Sequence, residues 1–406
     1  MNRIHGKHIV VGVSGGIAAY KSCELVRRFI KEGATVQVIM TKNATEFVTP
    51  LTFQTLSANR VAIDTFDLEF ESEIGHISIA DKADVIVVAP ATAAVIGKIA
   101  SGISDNLLTT VLLATRAPVV ICPTMNVNMY NNPLVQENLE KLMRAGFIVL
   151  EPGEGELACG WEGKGRLPDI GIIVNEVERV LSPKDLEGQR VIVTAGATKE
   201  FIDSVRFISN PSSGKMGFAL AKEGWLRGAE VVLISGKTDV SPPDRINIIN
   251  TSTVAEMHEE VMKRLDWATI IIKAAAVGDY APEKPIDGKI KKDRDGLNLS
   301  LKPTLDILSD VGLKKNGRIV VGFSAECENI IDNSIAKLRK KRLDLIVAND
   351  ITREGSGFGG DTNIVYLIDK SECVDELPIM GKDEVARRVF DKILEIRNRN
   401  DSRVSI

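Results

Sequence analysis

Residues 9–21 read IVVGVSGGIAAYK, and residues 191–217 read VIVTAGATKEFIDSVRFISNPSSGKMG. In each, an apolar run of strand character feeds a Gly- and Ser-rich turn, and helix-like sequence follows at 18–31 and 218–227. Backbone N–H groups at such a turn, with the helix N-terminus behind them, suit a phosphate. Two such openings far apart in one chain point to two nucleotide-like ligands and two chemistries.

Working outward, apolar runs recur at 35–40, 84–89 and 118–122, separated by longer helical patterns such as 133–144. After Leu181 the polar stretch SPKDLEGQR interrupts this rhythm. New runs follow at 190–194, 230–234, 269–272, 319–323 and 344–348. Alternating strands and helices predict two doubly wound α/β domains with parallel sheets, divided within 182–189. We place the domains at 1–184 and 185–406. The length of 406 residues agrees, because a single core stops growing at roughly 250–300 residues.

Hydrophobic content of 44%, charged content of 26% and a net charge of −4 describe a globular chain without a nucleic-acid-binding balance. No apolar run approaches the roughly 20 residues of a membrane span, and no signal-peptide core is present. The five cysteines are scattered and lack a CxxC pair, which suits a reducing, cytoplasmic setting and argues against a zinc or disulfide framework.

Several familiar motifs fit only in part. GVSGG matches the G-x-S-x-G elbow of hydrolases, but it follows the first strand, and the only late histidine is His258. A dinucleotide fingerprint needs glycine where Ser14 stands and an acid after the second strand, which instead ends Ile39-Met40-Thr41. The Thr41 hydroxyl suits a terminal phosphomonoester, favouring FMN over NAD. SSGKMG imitates the end of a P-loop, yet Ser209 and Met216 occupy positions that a Walker motif reserves for Gly and Ser/Thr.

Other residues have chemical potential of their own. His76 is a lone histidine in GHIS, and Asn126 lies in PTMNVNMY just beyond a strand end, where side chains face the crevice of an open sheet. A lone histidine such as His76 is more often structural, whereas Asn126 is equally at home capping a turn. Cys159 sits in GEGELACGWEGKGR, a loop too glycine-rich and charged for a core thiol, and suited to a mobile lid carrying an acid. Asp279 follows a buried strand and could hold magnesium or a ribose hydroxyl. Lys289, Lys291 and Lys292 form a clamp-like or merely solvated run. Lys337 and Lys341 share a helix face.

Together these segments carry a resemblance. SGGIAAYK, GH at 75–76, APAT at 89–92, PTMNVNMY and ACG at 158–160 resemble the 4′-phosphopantothenoylcysteine decarboxylases among the homo-oligomeric flavin-containing cysteine decarboxylases. ISNPSSGKMG, AAAVGDY at 274–280, KIKK at 289–292 and AND at 348–350 resemble phosphopantothenate–cysteine ligases. The order is similar to the fused coenzyme A biosynthesis enzymes of bacteria and archaea. One departure is Ala93-Ala94 in the segment where that family often has PASANT, which bears on contacts to the flavin or a neighbouring subunit.

The resemblance implies a flavodoxin-like flavoprotein domain and a nucleotide-binding ligase domain, both Rossmann-like. It implies FMN held by Ser14, Gly15, Gly16, Ile17, Thr41, Pro90, Ala91 and Thr92, with His76 as base, Asn126 on the substrate carboxylate and Cys159 as proton donor. In the second half it implies CTP and Mg²⁺, with Lys289 serving activation and Asn210 the acyl-nucleotide. Ala275, Ala276, Val277, Asp279, Leu305, Asp306, Ile307, Phe323, Lys337 and Lys341 would hold nucleotide or substrate. It further implies trimers of the flavin domain and dimers of the ligase domain, combined in a dodecamer. Two other readings stand beside it: a tandem NAD-linked oxidoreductase and a non-catalytic flavin-binding regulatory protein.

Overall fold

Strands in the first half are apolar at nearly every position, so each must be covered on both faces. The computed structural model describes residues 3–65, 75–156, 160–238, 240, 242–243, 245–291, 297–353 and 359–404. It divides into two compact units, 1–182 and 183–406.

In the first unit, β1 (His8–Val13), β2 (Thr35–Met40), β3 (Val85–Ala91), β4 (Val119–Pro123) and β5 (Ile148–Val149) form one parallel sheet in the order β2-β1-β3-β4-β5. Alternate side chains serve opposite layers. Ile9, Val11, Val36 and Val38 pack with Leu25, Phe29 and Phe53 on one face. Val10, Ile39, Ile86 and Val88 pack with Ile96, Leu108 and Leu139 on the other. This strand order reverses direction between β1 and β3, the place where an open α/β sheet leaves a crevice beyond its strand ends.

The second unit has β6 (Arg190–Ala195), β7 (Glu230–Ser235), β8 (Asn247–Asn250), β9 (Ile270–Lys273), β10 (Ile319–Glu326), β11 (Leu345–Asp350), β12 (Thr362–Asp369) and β13 (Val374–Gly381). Their order is β8-β7-β6-β9-β10-β11-β12-β13. The first six are parallel in the doubly wound arrangement, with its reversal between β6 and β9. The last two are antiparallel, so this sheet is mixed and not parallel throughout as the sequence rhythm suggests. Val191, Val193, Ile270 and Ile272 pack with Trp225, Val389 and Phe390, while Ile192 and Ile271 face Met257, Leu308 and Leu338. Among the described residues, no helix is long and apolar enough to cross a membrane.

Candidate functional site

Each reversal point carries a cavity. The first, of about 1110 Å³, opens at the ends of β1, β3 and β4 and is lined by Ser14, Gly15, Gly16, Ile17, Thr41, Pro90, Thr92 and Asn126, among others. It exceeds the roughly 300–1,000 Å³ of an ordinary ligand pocket, leaving room for a cofactor and a second molecule.

Its floor is a braced junction of two turns. The buried Ser14 hydroxyl donates to the Pro90 carbonyl at 2.7 Å and accepts from the Thr92 N–H at 3.0 Å. That engagement joins the β1 and β3 turns and removes the case for a hydrolytic serine. Gly15 passes against Asn43, where a Cβ would lie 2.5 Å from the Asn43 Cβ and 2.8 Å from its carbonyl carbon. Thr41 Oγ1 is buried and has no hydrogen-bond partner. An unsatisfied buried hydroxyl on a cavity wall, beside a turn that only glycine can make, is the chemistry a phosphate completes. The residues therefore fit a flavin mononucleotide.

The remaining decarboxylase candidates are placed differently. Asn126 caps the short helix Val127–Tyr130, its side-chain oxygen accepting from Asn128 N–H at 2.8 Å. The neighbouring Met125 N–H bonds Gly165 O at 3.0 Å, tying this loop to the hairpin Gly153–Glu156 with Glu162–Arg166. Cys159 lies between those two strands, outside the described residues. Ala91 is buried in β3 behind the wall. His76 is not part of the wall: it begins the helix Gly75–Lys82, with its Nδ1 buried and unpartnered.

The second cavity, of about 470 Å³, gathers Asn210, the 212–217 turn, Lys273–Val277, Asp279, Phe323, Lys337, Asn363 and Lys382. Its frame is held by side chains beneath the turns. Thr198 Oγ1 accepts from Gly278 N–H at 3.0 Å, Thr304 Oγ1 donates to Gly278 O at 2.6 Å, and Asn210 Nδ2 donates to Val277 O at 3.0 Å. Four lysines (Lys215, Lys273, Lys337, Lys382) and one carboxylate, Asp279, are among the described lining residues, and of the four only Lys215 is ion-paired to a described residue, Asp361 at 2.7 Å. That excess suits a polyanion. Burial first, then repulsion from Lys337 and Lys341, pushes the Lys273 ammonium down to about 8. Lys337 is lowered by burial and by Lys341, and Lys382 by burial and by Lys215.

Asp306 and Lys341 stand beside this cavity and not on its wall. Asp306 caps the helix Ile307–Leu313, accepting from Ser309 N–H at 3.1 Å and Lys341 Nζ at 3.0 Å. Burial alone would raise its carboxyl, but the Ser309 hydroxyl and Lys341 outweigh it and hold it at about 2. That helix passes so close to the end of helix Ile330–Lys340 that a Cβ on Gly312 would overlap the Lys341 carbonyl oxygen. Ile307 is core, and Leu305 is exposed. Lys289 is exposed and off the wall, its neighbours pinned to the 203–206 turn by Gly288 N–H to Ser204 Oγ and Ile290 N–H to Asp203 Oδ2. Lys292 falls outside the described residues. Sequence reasoning missed Lys215, Lys273 and Lys382 as lining groups; the available signals were the lysine ending the run Ile270-Ile271-Ile272 and Lys215 in the P-loop-like SSGKMG.

The family model described as Flavoprotein matches residues 2–182, and that described as DNA/pantothenate metabolism flavoprotein C-terminal domain matches residues 186–396. The chain is 46% identical over 404 residues to the coenzyme A biosynthesis bifunctional protein CoaBC of Bacillus subtilis, covering 98% of this chain and 100% of that one. To the protein of that name from Vibrio cholerae it is 44% identical over 398 residues, covering 97% and 100%. To that from Borreliella burgdorferi it is 43% identical over 392 residues, covering 96% and 99%.

Proposed function

This chain belongs to the family of bifunctional coenzyme A biosynthesis proteins, and from that premise we infer how its two units divide the work. It is a phosphopantothenate–cysteine ligase and a phosphopantothenoylcysteine decarboxylase on one polypeptide. We assign decarboxylation to residues 1–184 and ligation to residues 185–406. The observation that supports this division is that each sheet has a cavity at its own reversal point, whose described lining residues belong to its own unit.

In the ligase unit, a nucleoside triphosphate, CTP in this reading, activates the carboxylate of 4′-phosphopantothenate and releases pyrophosphate. Lysines around the cavity stabilise the charge that builds on the transferring phosphoryl group. Asn210, already bonded to the 274–279 turn, holds the acyl-nucleotide while the cysteine amine displaces the nucleotide. Lys289 serves the activation step from a segment that must approach the cavity. Mg²⁺ would be held mainly by phosphate oxygens, with Asp279 as the protein carboxylate at the wall.

In the decarboxylase unit, Ser14, Gly15, Gly16, Ile17, Thr41, Pro90 and Thr92 would form the FMN cradle, with Ala91 supporting it from behind the wall. Bound there, FMN supplies reversible two-electron oxidation of the cysteine-derived carbon, the electron sink that loss of CO₂ requires. Asn126 binds the departing carboxylate, and His76 is the base. Cys159 protonates the carbon that CO₂ leaves. Ile17 and Tyr20 line the cavity and stand 61% and 58% exposed, apolar surface that a second copy would cover. We therefore infer a homo-oligomer in which His76 serves a cavity completed by a neighbouring copy.

The test is incubation of the full chain with 4′-phosphopantothenate, cysteine, CTP and Mg²⁺, followed by mass spectrometry. Pyrophosphate, CMP, CO₂ and 4′-phosphopantetheine are expected. Accumulated 4′-phosphopantothenoylcysteine would remove the decarboxylase assignment, and unreacted 4′-phosphopantothenate the ligase assignment.

A further inference from the structure

Side chains of a buried strand alternate between two layers, and the pattern of β9 is explicit. Ile270 and Ile272 enter the layer of Phe390, and Ile271 enters the layer of Leu308 and Leu338. The next position on the Ile271 face is Lys273, followed on the chain by the buried Ala275 of the same cluster. Apolar continuity at 273 would suit the core better than an amine.

Lys273 pairs in register with Thr194 of β6 and Gly322 of β10, so its strand neighbours bring no charge. The charged groups around it come from other elements: Lys337 on the helix Ile330–Lys340, Lys341 at that helix end, Asp306 capping Ile307–Leu313, and Asp279 on the loop after β9. Lys215 and Lys382 line the same cavity. Lys341 is bonded to Asp306 at 3.0 Å. No carboxylate of a described residue lies within ion-pair distance of Lys273. A cation raised from the sheet at the reversal point, opposed by two more lysines and left without an ion pair, is an arrangement that a bound anion relieves.

We propose that Lys273 is a further phosphate-binding residue of the ligase unit, contacting the polyphosphate of the nucleotide from the sheet while Lys337 approaches from the helix. This rests on the ligase reading above and adds a residue to it. The displaced Lys273 titration supports the same view, because the nucleotide's negative charge restores the protonated amine. Nucleotide affinity should accordingly fall as pH rises above about 8.

The experiment is CTP binding to the full chain by calorimetry, from pH 7 to pH 9.5, for wild type, Lys273→Met and Lys273→Arg. Lys273→Met should bind CTP about tenfold more weakly at pH 7. Lys273→Arg should bind within about threefold of wild type and show a shallower decline above pH 8, since a guanidinium stays charged there. Melting of the ligand-free Lys273→Met protein at or above the wild-type temperature would show that the loss is not a folding defect. Wild-type CTP affinity and pH profile in both variants would overturn this proposal and leave the ligase reading standing. A wild-type protein that binds no CTP at all would overturn both.

Discussion

Asn43 lies directly behind Gly15: a Cβ on residue 15 would come within 2.5 Å of the Asn43 Cβ and 2.8 Å of its carbonyl carbon. At Gly16 the nearest atom to such a Cβ is Thr92 Cγ2, at an ordinary 3.7 Å. Adjacent glycines of one turn therefore differ in what they tolerate. Gly15→Ala should force the turn off its path and weaken FMN binding by about ten- to a hundredfold, from the usual cost of overpacking. Gly16→Ala should cost much less. Flavin absorbance of the purified variants, with FMN titration of the apo proteins, measures both; equal losses would contradict the geometry.

Thr41 permits the opposite kind of test. Its hydroxyl is buried without a partner, so replacing it by an isosteric methyl removes an unmet demand in the flavin-free protein. Thr41→Val should melt at or above the wild-type temperature when FMN is absent. With FMN present it should bind about tenfold more weakly, having lost one hydrogen bond to a charged group. A variant that loses apo stability would show that the hydroxyl already has a structural partner.

Asp306 links stability to acid. Its folded-state carboxyl is held at about 2, below the ordinary 3.8, so the stabilisation is complete above the ordinary value and is lost as pH falls through about 2. Asp306→Asn keeps a helix-capping oxygen but loses the ion pair with Lys341. With Asp306 half exposed, the difference from wild type should be about 0.5–1 kcal/mol at pH 7. Urea unfolding at pH 7 and near pH 2 should show that difference shrinking to a small remainder. A difference that grows on acidification would have the wrong sign.

Cys159→Ser should separate the two ends of the decarboxylation. A thiol of pKa about 8.5 is a far better proton donor at neutral pH than an alcohol. The variant should release CO₂ once per site and yield little 4′-phosphopantetheine, whereas His76→Asn should release none. CO₂ trapping with product mass spectrometry reads both; full turnover by Cys159→Ser would reassign the donor.

Much of this arrangement was legible in sequence because buried parallel strands must be apolar on both faces. The runs at 9–13 and 190–194 stand out for that reason, and each ends in its glycine-rich turn. The antiparallel edge was not legible: β13 alternates between exposed and half-buried residues and reads as an ordinary polar stretch. The polar frame of the second cavity was hidden too. Thr198, Asn210 and Thr304 brace one turn from distant parts of the chain, and no local pattern announces such bonds. Lys215 and Lys382 likewise meet only through the fold. His76 shows the converse, being conspicuous in sequence yet absent from the wall of its own unit's cavity.

The close passage of Gly312 against Lys341 sets a limit on how this enzyme can vary. Position 312 is not among the described lining residues of either cavity, so a survey confined to cavity walls would rate it as free to drift. Any side chain there would have to displace the Lys341 carbonyl, and with it the lysine that holds Asp306. Adaptation of the ligase to a different nucleotide or to an inhibitor thus has an unseen anchor. Substitutions that reshape the neighbourhood of Lys341 and Asp306 are available to it only while a residue with no side chain is kept at 312.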